Sequence, residues 1–252
     1  MRFAAMASAG PRGVLTQVTP LGLGTFPKFD VRHGSKPWSL AAMLNPMNKK
    51  DQLRIQVAQI AEIFLTAKEN FNYCYYLHNP STPEESEYLK VDRNLNFIRH
   101  SLWRMSVIEL VKLYSSKEND KFNLQKILNR LSPGGDYAEL GIDYFDIVRW
   151  ESRSLGKEIA ISNIVTLRDK IYAHTDPNKN DYKQLEVYFY DIEELLEIAA
   201  TIIKDIYLKV FQTTINLKTP TFDRTDFDLV KVLAKAHRDS VQAILDLKKH
   251  GS

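Results

Sequence analysis

Apolar residues recur every three or four positions along most of the chain after residue 47, and this spacing predicts a series of helices. Leu53, Val57, Ile60, Phe64, Ala67 and Phe71 form one stripe and predict a helix over residues 50–77. Asn79-Pro-Ser-Thr-Pro83 breaks it. Thr82-Pro-Glu-Glu85 has the form of a capping box leading into the next helix, which starts at Pro83 or Val91 and runs to Tyr114. Leu95, Ile98, Leu102, Met105, Ile108 and Val111 are expected on its inner face. Residues 115–121 read as a polar turn, 122–131 as a short helix and Ser132-Pro-Gly-Gly-Asp136 as a loop. A helix is expected over residues 143–155, with Phe145, Val148 and Trp150 as its apolar residues.

After Gly156 a further helix begins at Lys157, with Ile161, Ile164, Leu167 and Ile171 as its apolar stripe. Pro177 and the polar run at 178–181 end it. A long helix over residues 185–211 carries Leu195, Ile198, Ala199, Ile202 and Ile206 inward. A linker with Pro220 leads to a last amphipathic helix over residues 227–249. Its inner face is read as Leu229, Val232, Leu233, Ala236, Val241, Ile244 and Leu245. No segment alternates with period two for long enough to argue for a sheet. The expected class is all-α: an antiparallel up-and-down helical bundle over residues 47–215, with residues 216–252 a linker and C-terminal helix packed on it.

Residues 1–46 differ in composition. They hold five of the ten glycines and five of the ten prolines and show neither helical nor strand periodicity. They are expected to be a disordered leader or non-native extension: a misread upstream start, a vector-derived leader or a targeting segment. They carry five basic residues and one acid, a net of +4, so residues 47–252 carry −1 of the chain's +3. The pI near 8.7 is therefore no sign of a nucleic-acid-binding domain, and any RNA contact must come from a local patch. The single cysteine, Cys74, excludes a disulfide framework within a monomer, offers no metal cluster and reads as a buried small hydrophobe. No apolar run approaches the roughly 20 residues that cross a membrane. The expectation is a cytoplasmic protein with no membrane partner and no metal or other cofactor.

The chemistry concentrates at Ile164-Val-Thr-Leu-Arg168-Asp169-Lys170-Ile-Tyr-Ala-His174-Thr-Asp-Pro177. Arg168 lies one position from the apolar face, and His174 falls where the stripe would continue. Six residues at about 100° each place Arg168 and His174 roughly 120° apart, so they cannot meet on one straight helix. Either the helix bends before His174 or a second copy packs across a two-fold axis. The plain alternative is a surface arginine and a histidine that suits a helix C-terminus. Arg93, Arg99, His100 and Arg104 sit off the apolar face of the preceding long helix. They read either as a solvated face or as a strip that positions phosphates. The aromatic group Phe71, Tyr73, Tyr75 and Tyr76 reads as core and rim packing rather than a base-stacking platform.

Arg168, polar Asp169, a short partly apolar run and His174, late in an all-helical chain, resemble the signature of HEPN proteins, in which four to six residues separate Arg from His. Five intervene here. The local string is similar to the AbiU-like branch linked to abortive phage infection, and the resemblance covers about residues 48–211. It implies a motif at a homodimer interface and a metal-independent endoribonuclease of a phage-defence or toxin–antitoxin system, with an antitoxin or regulatory protein as a further partner. Arg168, His174 and Asp169 are then the candidate catalytic residues, and Arg99, Arg104 and Lys170 the candidate RNA contacts. A histidine near its usual pKa of about 6.5 serves as general acid or base, and an arginine fork binds phosphate. The alternative from another class is a non-catalytic helical dimer that binds RNA, a nucleotide or a partner protein. Gly-x-Ser-x-Gly, P-loop and H-E-x-x-H motifs are all missing, which argues against serine hydrolases, P-loop enzymes and zincins.

Overall fold

The computed structural model describes residues 47–115, 122–172, 187–219 and 229–250; the expected leader at 1–46 and His174 lie outside the described residues. The described residues are helical throughout their regular structure, with no strand among them. The helices are α1 (Lys49–His78), α2 (Pro83–Val91), α3 (Arg93–Tyr114), α4 (Leu124–Leu131), α5 (Tyr144–Leu155), α6 (Glu158–Thr166), α7 (Phe189–Phe211) and α8 (Leu229–His250). A π-helical turn, Leu167–Tyr172, extends α6.

Local chemistry sets the starts of these helices. Asn48, Thr82, Asp92, Asn123 and Asp143 each accept a backbone N–H of the first turn they cap. The capping box at Thr82 closes in a shifted form. Thr82 accepts from Glu85 N at 3.2 Å, but the Glu85 carboxylate reaches back to Ser81 N at 2.9 Å. Asn123 also donates to Ser115 O at 2.9 Å, which joins the chain on either side of residues 116–121. The two glycines expected as a loop have distinct duties. Gly134 takes φ +86, and a Cβ on Gly135 would stand 2.5 Å from the carbonyl oxygens of Asn129 and Arg130.

The core lies where α1, α3 and α7 meet. The predicted stripe of α1 is buried in full, as are the five inward residues predicted for α7. Arg54 lies over the Phe211 ring, while Phe71 packs on Phe189, so α1 and α7 run antiparallel. Ser106 donates to Ala67 O at 3.0 Å and Tyr114 to Leu195 O at 2.5 Å, which tie α3 to both neighbours. Helix α5 lies along α7. The indole of Trp150 donates to Asp205 at 3.0 Å, and Asp146 pairs with Lys209 and Arg149.

Two expected inner faces are corrected, on α3 and α8. On α3, Ile98 and Met105 are exposed, and the buried face is Leu95, Ser106, Val107, Leu110, Val111 and Leu113. A buried serine with a carbonyl partner takes a place that hydrophobic spacing assigned to methionine. On α5, Phe145 is 81 % exposed and Val148 is exposed, while Ile147 and Trp150 point inward. On α8, Val230 and Ala234 are buried and Leu233 is half-buried, all near α2, whereas Leu229, Val232, Val241, Ile244 and Leu245 are exposed. The long helix predicted from residue 185 begins at Phe189.

Candidate functional site

The stripe of the motif helix folds as expected up to residue 167: Ile164 and Leu167 are buried, and Ile161 and Ile171 pack on the core at its margin. From Leu167 to Tyr172 the backbone widens into a π turn, which spacing did not foresee. An i→i+5 turn rotates each residue by less than the 100° of an α-helix. The expected angle between Arg168 and later residues therefore does not carry over.

The wide turn brings sequence neighbours together. Side chains at i and i+1 diverge on a regular helix. Here Arg168 Nε donates to Asp169 Oδ1 at 2.6 Å, a short charge-assisted bond. The Arg168 side chain is 14 % exposed and that of Asp169 26 %. Both are mostly covered. Lys170 is exposed.

Arg104 joins this segment from α3. Its Nη2 donates to the backbone oxygen of Tyr172 at 3.1 Å, and its guanidinium stands 5.3 Å from the centre of the Tyr172 ring. Trp103, one residue earlier, lies beside the Tyr172 phenol. Burial raises the Tyr172 pKa, against the lowering effects of Trp103 and the Arg104 charge. Arg104, read from the sequence either as part of a solvated face or as a phosphate contact, stands against the motif segment. The signal for Tyr172 was present in the motif string, two residues before His174, but periodicity gave no reason to single it out.

Arg99, one helical turn before Trp103, occupies a different environment. It is half-buried, and its charge acts on Cys74 and His78 of α1. Burial pushes the buried Cys74 thiol up to about 11, despite the Arg99 charge. His78 is pushed down by burial and by Arg99. Its ring lies 4.5 Å from that of Phe189, which also packs against Trp103 at 4.9 Å and Tyr75 at 5.5 Å. His100 is exposed. The end of α1, the first half of α3, the π turn and the start of α7 thus share one aromatic and basic cluster. It holds Arg104 beside the motif segment and Arg99 one turn away.

A second surface lies along α5 and α6. Phe145, Val148 and Leu155 of α5 and Ile159 of α6 are exposed, Ile159 to 80 %. Tyr188 and Tyr190 stack at 5.2 Å beside Leu155 and Ile159, and all four line a cavity of about 620 Å³. Scattered exposed apolar residues are normal, but Leu155, Ile159, Tyr188 and Tyr190 gather in one place, as residues of an interaction surface do. Among the described residues, no group of three or more His, Cys, Asp or Glu side chains is placed to hold a metal ion. No helix among them is long and apolar enough to cross a membrane.

Comparison of the chain with protein families, characterised proteins and solved structures returned no significant match.

Proposed function

We propose that the protein is a metal-independent endoribonuclease of the HEPN type, acting in phage defence or as the toxin of a toxin–antitoxin pair. The observation that carries this reading is the Arg168–Asp169 pair on the wide turn, in a chain that places His174 six residues after the arginine. RNA supplies its own nucleophile. The 2′-oxygen forms a bond to phosphorus as its proton passes to a base, and the P–O5′ bond breaks as the leaving oxygen takes a proton. His174 fills one of these proton-transfer roles. Arg168 stabilises charge on the phosphoryl oxygens, and Asp169 fixes the guanidinium. The product ends are a 2′,3′-cyclic phosphate and a 5′-hydroxyl. Lys170, Arg99 and Arg104 supply local positive charge for the RNA backbone.

The active form is a homodimer. The exposed apolar residues of α5 and α6 lead along the chain towards the motif turn, and a second copy covering them would bring two motif segments near one another. The test is incubation of the full chain with total RNA in EDTA, with end-group analysis of the products. Cyclic phosphate ends support the reading, and intact RNA contradicts it.

One observation favours the second reading, a non-catalytic helical dimer. Arg168 is mostly covered and already engaged by a carboxylate. In that case Arg168→Ala lowers the melting temperature, and no RNA cleavage accompanies the wild-type protein.

A further inference from the structure

Lys68 of α1, Lys204 of α7 and Arg153 of α5 line one cavity of about 410 Å³. Lys68 is half-buried, its ammonium 5.7 Å from the centre of the Phe64 ring, and it donates to Leu217 O at 3.4 Å. An ammonium carries three donors, so this bond leaves Lys68 with donors to spare. Among the described residues, none of the three cations lies within ion-pair distance of a carboxylate. Burial and then the Lys204 charge lower the Lys68 pKa. Like charges gathered in a partly dry place destabilise one another, and a bound anion relieves them. Phe64, Phe71 and Leu196, all buried core residues, supply an apolar wall. The volume falls within the range of about 300–1,000 Å³ typical of small-molecule sites. A bare inorganic anion fills a small part of it. Glu193 and Glu197, exposed and one turn apart on α7, line the same cavity. Their charges repel a chain of phosphates and tolerate a ligand with one anionic end placed away from them.

We propose that this cavity binds a small aromatic anion, with its carboxylate or phosphate head between Lys68 and Lys204 and its ring against Phe64, Phe71 and Leu196. The head gains charge-assisted bonds from two ammonium groups, and Arg153 adds positive charge from α5. The ring leaves water for an apolar wall, which a ringless ion cannot do. The cavity contains none of Arg168, Asp169, Lys170, Arg99 and Arg104, so the inference stands apart from the ribonuclease reading.

The test is an NMR titration of the full chain, read on the backbone amides of Leu196, Ala200 and Thr201 at the cavity. The probes are phenyl phosphate and benzoate, beside their ringless counterparts, inorganic phosphate and acetate. At least one aromatic probe should shift these amides saturably at millimolar concentration, and its ringless counterpart should bind about tenfold more weakly or worse. Phenyl phosphate alone names a phosphate ester as the ligand class, benzoate alone a carboxylic acid, and either result supports the site. Lys204→Gln alters only an exposed side chain and should weaken binding by about three- to tenfold. Lys68→Met keeps the apolar stem against Phe64 and should do the same. Lys90→Gln, at an exposed lysine of α2, should leave binding unchanged. No saturable shift of these amides by either aromatic probe overturns the proposal. So does an affinity that Lys204→Gln leaves intact, or one no tighter for an aromatic probe than for its ringless counterpart. A single-stranded RNA that shifts the same amides and binds more tightly than either probe overturns it in favour of a backbone phosphate contact.

Discussion

Arg168 and Asp169 form an ion pair between adjacent residues, 2.6 Å from Nε to Oδ1, on the π turn that extends α6. The carboxylate meets the inner edge of the guanidinium and leaves the terminal nitrogens for another partner. If Asp169 works only by holding Arg168, the two substitutions are not additive. Asp169→Asn should lower cleavage about tenfold or more in the wild-type background and hardly at all beside Arg168→Ala. Rates of the four proteins decide it, and two full, independent losses would give Asp169 a role of its own.

The exposed apolar residues of α5 and α6 predict a dimer that one charge can break. Phe145 and Ile159 are each about four-fifths exposed in the monomer. Ile159→Glu should shift the protein from dimer to monomer in light scattering at micromolar concentration, without a loss of helical signal. An unchanged dimer places the interface elsewhere, and a monomeric wild type removes it.

His78 predicts a pH effect. Its folded pKa lies below the usual value, first through burial and then through Arg99. The folded state binds this proton less readily than the unfolded chain. The stability linked to His78 is therefore complete above the unfolded pKa of about 6.5 and is lost as pH falls through the folded value. Between pH 7.5 and 5 the melting temperature of wild type should fall further than that of His78→Gln. Parallel curves would contradict the assignment.

The glycine pair offers a test of the fold. Gly135→Ala drives a methyl group against two backbone oxygens that cannot swing aside, and should cost about 2 kcal/mol or more. Gly156→Ala meets its nearest atoms at 3.5 Å and should be close to neutral. Thermal melts of both variants check this, and equal melting temperatures contradict the loop geometry.

Long amphipathic stripes were legible because one packing partner dominates each of them. Leu53 through Phe71 on α1 and Leu195 through Ile206 on α7 are buried where periodicity put them. The errors fall where two surfaces compete. The Met105 side of α3 carries apolar residues on a face that the monomer leaves open, so a rule that sends them inward fails. Ser106 is buried because the Ala67 carbonyl satisfies it, a partner 39 residues away in sequence. In the candidate site, the string from Arg168 to His174 stands out in the sequence, but the wide turn does not. Its backbone departs from the 3.6-residue period on which the angular argument depended. Arg104 was legible as a cation and not as a neighbour of Tyr172, since that contact spans 68 residues.

The central claim is that His174 carries the chemistry of RNA cleavage. The measurement is the single-turnover cleavage rate of a single-stranded RNA in EDTA, for wild type and His174→Ala at equal concentration, across pH 5.5 to 8.5. The account predicts cleavage by wild type, a rate at least a hundredfold lower in His174→Ala, and a pH profile whose histidine limb disappears with the substitution. Equal rates in the two proteins, or no cleavage by either, would contradict it.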